Sequence, residues 1–263
     1  MHETKRVHIQ VEGEQVTAAG VSDIGLLRNE NQDSIHLDEN GRFILLADGM
    51  GGHERGAEAS RTIISVLQEF FQPERIEREI ADITAVEGIP VEVSSLFSLI
   101  DKGIRKSNTV VYEKNRAEGV EKYMGSTLVG VVFTKELCVT WFHVGDSRLY
   151  RWRDTTLTQL TKDHSAYAEW VNKGCTGEEP GRNLVTRAIG PREGVIPDMN
   201  WEKGKEGDIY ILCSDGLNDM IGDDEISDII KSSDSVNNMT VNLLNAALDA
   251  GGTDNISIVA CEL

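Results

Sequence analysis

The chain has 263 residues, 40% of them hydrophobic, and carries 26 basic against 44 acidic residues for a net charge of −18. That length and apolar share suffice for a packed core, while the negative field opposes nucleic acid and anionic membrane surfaces as partners. No stretch approaches the roughly 18 apolar residues of a membrane helix, and Met1 to Gln15 is charged with no apolar segment, so neither a span nor a signal peptide is expected. The four cysteines, at 138, 175, 213 and 261, form no C-x-x-C pair, and three lie in apolar runs, which suits reduced thiols in a cytoplasmic protein.

Residues 1–15 read as a polar lead-in or an edge strand. Strands are expected at Val16–Ser22, Ser34–Leu37 and Phe43–Ala47. From Glu54 the period changes: Ala57, Ser60, Ile63, Ile64, Leu67, Phe70 and Phe71 share one helical face, and Pro73 marks its end. A second helix is expected from Val93 to Asn115. Strands return at Ser126–Phe133, Leu137–Val144 and Arg148–Trp152, and their short spacing predicts antiparallel pairing of consecutive strands. A short helix holding Tyr167, Trp170 and Val171 precedes a loop rich in Gly, Glu and Pro. A strand at Ile209–Ser214, helices at Asp224–Ile230 and Thr240–Leu248, and a closing strand at Ile256–Cys261 complete the pattern. No linker or repeat divides it, so one α+β domain over 1–263 is expected, with antiparallel sheets covered by helices.

Four of these apolar runs adjoin an aspartate: Asp48, Asp146, Asp215 and Asp254. The first three each have a neighbouring glycine. Any one Asp-Gly is an ordinary turn dipeptide. Four carboxylates at strand ends are harder to explain so, because a buried carboxylate needs compensation and a hard divalent cation supplies it. Upstream, Arg28 carries a planar fork suited to a phosphate dianion, although such a polar stretch also makes an ordinary surface turn.

The motifs fall in a telling order. They are Arg28-x-x-Asn31-Gln32-Asp33, Asp48-Gly49-Met50-Gly51-Gly52-His53, Gly125-Ser126-Thr127 and Gly145-Asp146-Ser147-Arg148. Leu160-Thr161-x-Asp163-His164-Ser165, Thr186-Arg187-Ala188-Ile189-Gly190, Ser214-Asp215-Gly216-Leu217 and Gly252-Thr253-Asp254-Asn255 follow. From about Thr17 to Ala260 the chain resembles the metal-dependent serine/threonine protein phosphatases, the PPM or type 2C family, in its bacterial form. The resemblance implies a central antiparallel β-sandwich flanked by helices, in four layers. It implies two Mn²⁺ or Mg²⁺ ions, with Asp48 bridging them, the Gly49 carbonyl and Asp215 and Asp254 on one ion, and Asp33 on the other. Asp146 would support a third, weaker ion, Arg28 would grip the substrate phosphate, and Asn255 would orient groups beside Asp254. A hydroxide bridging the ions would attack phosphorus without a phosphoenzyme. The implied substrates are phosphoserine and phosphothreonine proteins, with a cognate serine/threonine kinase as functional counterpart and a monomer as the working unit.

Some positions depart from the family. Gln32 stands where many members carry glutamate. Met50 stands where the eukaryotic relatives carry a histidine that is a candidate proton donor. His53 lies close by and is kept as a candidate catalytic residue beside its reading as an exposed or capping histidine. Glu178-Glu179 runs directly into Pro180-Gly181-Arg182-Asn183, a flap shorter than is usual. Cys213 reads as a core thiol, although alternation would put it on the face of Asp215. A non-catalytic phosphoprotein-binding relative and a hydrolase of small phosphoesters are the alternatives to an active protein phosphatase.

Overall fold

The computed structural model describes residues 6–52, 54–72, 88–119, 122–134 and 136–263. Pro73 and His53 lie outside the described residues. The strands are β1 (Val7–Glu12), β2 (Thr17–Asp23), β3 (Asp33–Leu37), β4 (Phe43–Met50), β5 (Gly125–Ser126), β6 (Leu128–Phe133), β7 (Cys138–Val144), β8 (Arg148–Arg153), β9 (Thr156–Gln159), β10 (Asp198–Lys203), β11 (Ile209–Cys213) and β12 (Ile256–Glu262). The helices are α1 (Glu54–Phe70), α2 (Val91–Glu118), α3 (Ala166–Asn172), α4 (Asp215–Asn218), α5 (Asp223–Ser232) and α6 (Val236–Asp249).

Among the described residues the strands form two antiparallel sheets. One has the order β1-β2-β12-β11-β8-β9; the other runs β10-β7-β6-β4-β3, with β5 paired to β4. Val16, Ile44, Leu46, Val131, Trp141, Tyr210, Leu212 and Val259 come from both sheets and fill the space between them. On the outer face of the second sheet, Leu45, Ala47 and Phe142 pack against Ile63, Leu67, Leu96 and Ile100 of α1 and α2. On the outer face of the first, Val21, Ile211 and Ile258 meet Ile226, Met239, Leu243 and Leu244 of α5 and α6. The four layers follow from alternation: the central strands have two apolar faces, and each outer face needs a helical cover. No helix among the described residues is long and apolar enough to cross a membrane.

Most elements fall where the apolar period puts them. The pairing of β7 with β8 does not. β7 pairs with β6 and β10, whereas β8 pairs with β11 and β9 in the other sheet. The three residues Gly145-Asp146-Ser147 therefore carry the chain from one sheet to the other rather than closing a hairpin. Spacing alone cannot separate the two cases, since both need a short turn. β9 and β10 and the short α4 are additional to the expected elements, and β10 is an edge strand with Asp198 and Asn200 exposed.

Candidate metal centre

The five aspartates arrive at one edge of the sandwich from separate elements. Asp33 opens β3, and Asp48, two residues before the end of β4 rather than beyond it, lies directly across the ladder from it. Asp146 sits in the turn that changes sheets. Asp215 begins α4, so strand alternation ends at Cys213 and that thiol does not share a strand face with it. Cys213 packs instead in the core beneath α5 and α6, where burial pushes its pKa up to about 12. Asp254 precedes β12.

A web of hydrogen bonds behind these residues explains most of the remaining motifs. Ser126 Oγ and the Thr127 amide both donate to the Asp48 carbonyl, at 2.7 and 2.8 Å, and the Asp48 amide donates to Thr127 Oγ1 at 3.0 Å. Ile189 and Ser126 exchange backbone hydrogen bonds at 2.9 and 3.0 Å, which brings the Thr186–Gly190 motif onto the same web. Ser214 Oγ donates to Asp33 Oδ2 at 2.8 Å and accepts from the Ser257 amide at 3.0 Å. Asn255 donates from Nδ2 to the carbonyls of Ile24 and Glu30, both at 2.9 Å, and its Oδ1 accepts from the Gln32 amide at 2.9 Å. It thereby staples the Arg28 loop to the Asp254 turn. Gly49 is required by close approach. A Cβ there would lie 2.0 Å from the Gly56 carbonyl oxygen, so only glycine lets the first turn of α1 close on β4.

Electrostatics at this edge are unbalanced. Burial raises the Asp33 carboxyl to about 6, with Asp254 adding to it against hydrogen bonds from Ser257 and Ser214. Burial, then Asp33, Asp215 and Asp146, push Asp48 well above the carboxylate range. Asp215 is raised likewise by burial and then by Asp146 and Asp254, and burial takes Asp146 to about 6. Oδ1 of Asp33 and Oδ1 of Asp215 are buried without a hydrogen-bond partner. Buried acceptors left unpaired, in a set made of oxygen donors, fit a hard divalent cation.

Arg28 stands at the rim. Its Nη2 donates to Asp254 Oδ2 at 2.5 Å, and its other guanidinium N–H groups make no hydrogen bond among the described residues. It lines a cleft of about 610 Å³ together with Leu27, Glu30, Gln32, Gly52 and Asn255.

A second cluster, His143, His164 and Asp198, brings potential ligand atoms within 4.8 Å of one another. Its geometry opposes coordination. His164 Nδ1 accepts from the Gly145 amide at 3.0 Å, so the neutral ring carries its proton on Nε2, the atom facing the cluster. The two rings also stack, with centroids 4.5 Å apart and planes 17° from parallel, so their in-plane lone pairs do not converge on one ion. Metal-bound histidine ordinarily donates from its other nitrogen, the reverse of what Gly145 imposes.

Residues 28–250 match the family model described as protein phosphatase 2C. The chain is 33% identical over 250 residues to the serine/threonine protein phosphatase PstP of Mycobacterium tuberculosis, covering 93% of this chain and 44% of that protein. It therefore spans less than half the length of that relative. It is 32% identical to the protein phosphatase PhpP of Streptococcus pneumoniae, covering 92% of this chain and 96% of the relative. A solved structure of the PstP catalytic domain in complex with two manganese ions superposes with a TM-score of 0.77 at 32% identity, covering 94% of this chain and 97% of that one. On these matches and this fold, the chain belongs to the protein phosphatase 2C family.

Proposed function

We propose that this chain is a phosphoprotein phosphatase that removes phosphate from phosphoserine and phosphothreonine, dependent on Mn²⁺ or Mg²⁺. The reaction adds water across the phosphorus–oxygen bond and releases the hydroxyl side chain and inorganic phosphate. The observation that carries this reading is the edge of mutually destabilised buried carboxylates, two with an unpartnered oxygen, beside an arginine on an open cleft. Asp48, the Gly49 carbonyl, Asp215 and Asp254 would hold one ion, Asp48 and Asp33 the other, and Asp146 a weaker third. Bound there, the ions supply Lewis acidity that makes water a nucleophile at neutral pH and offsets charge on phosphorus.

The chain's own residues do the rest. Arg28 binds the phosphate oxygens through the N–H groups that Asp254 does not hold, and it stabilises the charge that builds on them. Asn255 keeps Arg28 at a fixed distance from the Asp254 turn. No covalent intermediate is required of the protein, and Cys213 is buried and protonated, which argues against a thiolate nucleophile. Met50 cannot donate a proton to the leaving group, so His53 or solvent takes that part.

The physiological role we infer is reversal of a serine/threonine kinase, acting as a monomer on phosphoproteins. Four free cysteines suit the reducing cytoplasm as its compartment. The test is turnover of an aryl phosphate and a phosphothreonine peptide with Mn²⁺, by the chain and by Asp48→Ala and Asp215→Ala. Turnover of both substrates, abolished in both variants, is expected. Absence of turnover on either substrate rejects the reading, and turnover of the aryl phosphate alone favours a small-phosphoester hydrolase.

A further inference from the structure

Two of the motifs, Leu160–Ser165 and Thr186–Gly190, contain none of the five aspartates, yet they meet directly behind Asp146. The meeting point is His164, a buried side chain at the start of the α3 segment. It grips Gly145 twice. The His164 amide donates to the Gly145 carbonyl at 2.9 Å, and His164 Nδ1 accepts from the Gly145 amide at 3.0 Å. Its own carbonyl accepts from the Thr186 amide at 2.8 Å.

The far side of the ring is equally constrained. Nε2 faces Asp198 Oδ2 at 3.4 Å, and Arg187 Nη1 holds the same carboxylate through Oδ1 at 2.5 Å. His143 stacks on the ring, and its Nε2 donates to the Lys162 carbonyl at 2.9 Å. Burial, then His143 and Arg187, hold His164 down at about 4, so the imidazole is neutral and its tautomer is set by its neighbours.

What the grip controls is the turn. Gly145 has φ +106°, and a Cβ there would lie 2.7 Å from Thr127. Glycine is therefore required, and glycine is also the residue with the widest choice of backbone conformation. A turn built on it needs external constraint to point the next side chain in one direction. That next side chain is Asp146, which is felt by both Asp48 and Asp215.

We propose that His164 is a positioning residue: its Nδ1, as acceptor for the Gly145 amide, fixes the sheet-crossing turn and so aims Asp146 at the acidic edge. The inference rests on the reading of Asp146 as part of the metal-dependent site. It also assigns a task to the Asp163-His164-Ser165 and Thr186-Arg187 motifs, whose side chains hold the ring from both sides.

Asparagine and glutamine separate the two nitrogens. In His164→Asn the amide oxygen occupies the place of Nδ1, whereas in His164→Gln the polar end reaches toward Nε2 and leaves Gly145 without its acceptor. The full-length chain and both variants are compared by amide hydrogen exchange of Gly145 and by kcat and KM for an aryl phosphate with Mn²⁺. For the asparagine variant, exchange and kcat within about threefold of the parent are expected; for the glutamine variant, exchange about tenfold faster and kcat about tenfold lower, with KM within about twofold, from the loss of one buried hydrogen bond. Equal behaviour of the two variants, in either direction, overturns the proposal. Should the glutamine variant not fold, a tenfold fall in kcat for the asparagine variant overturns it. If the parent chain shows no turnover, the phosphatase reading falls, while the exchange comparison still decides whether Nδ1 holds the turn.

Discussion

Strands β8 and β11 are paired from Arg148 and Cys213 at one end to Trp152 and Ile209 at the other, and their two ends bury charge in opposite ways. Just beyond the first end lie Asp146 and Asp215, which carry no arginine partner and raise each other's pKa. Just beyond the second lies Asp208, buried in a network. Arg153 donates to both of its carboxylate oxygens, at 2.7 and 2.5 Å. Arg151 reaches Glu202 at 2.5 Å, and the Tyr210 hydroxyl donates to Glu202 at 2.7 Å. Although burial works to raise Asp208, the Arg153 and Lys205 hydrogen bonds hold it below the ordinary carboxylate range. One end is neutralised from within; the other is left for a cation from outside. The contrast shows that the acidic edge is not a by-product of a net charge of −18 but a local choice, since the same strands carry arginines where only stability is needed.

The sharpest way to break the comparison is to remove a carboxylate from the unpaired end. Asp48→Asn is expected to lower Mn²⁺-dependent turnover of an aryl phosphate at least about 1000-fold, about 4 kcal/mol of transition-state stabilisation. Turnover within tenfold of the parent would remove Asp48 from the centre of the site.

At the paired end the loss should fall on stability. Arg153→Ala leaves Asp208 and Glu202 short of a cation and is expected to cost about 3 kcal/mol in denaturant unfolding, with turnover per folded molecule retained. A cost below 1 kcal/mol would mean that solvent, not Arg153, balances that network.

Arg28 lies between the two regimes, paired to Asp254 yet open to the cleft. Arg28→Ala is expected to reduce kcat/KM about 30-fold, and Arg28→Lys to recover only part, because lysine cannot offer two parallel donors. Full recovery by lysine would show that charge alone suffices.

The smallest effect is in pH. Asp33 and Asp146 have folded pKa values raised to about 6, above those of the unfolded chain, so the folded metal-free protein binds more protons between about 4 and 6. Its stability is therefore expected to fall as pH rises through that window and to level off above it. Thermal unfolding in a chelator checks this: a melting temperature rising from pH 5 to 7 would contradict the raised values.

Much of this was legible in the sequence, for identifiable reasons. Apolar period located the central strands and α1, and eight ordered motifs pointed to the chemistry. The motifs did not say how Ser126, Thr127, Ser214 and Asn255 act, because a side chain that orients a ligand through one hydrogen bond leaves no periodic trace. The change of sheet at Gly145–Ser147 was also hidden, since a turn between sheets and a hairpin have the same length. Asp48 looked like a strand end because its apolar run stops there, yet β4 continues to Met50 through backbone pairing with Ser126 and Gly125. The alternation of Met199 and Trp201 with Asp198, Asn200 and Glu202 did carry a signal for β10, but one in which polar residues dominate.

The most direct measurement is thermal unfolding of the parent chain and Asp48→Asn side by side at pH 7.5, in chelator and in millimolar Mn²⁺. If the acidic edge is a site left open for cations, Mn²⁺ raises the parent's melting temperature by about 5 °C or more and leaves Asp48→Asn nearly unmoved, while in chelator the variant melts above the parent because one buried repulsion is gone. An equal Mn²⁺ response in both proteins, or a variant that melts below the parent in chelator, would contradict the account.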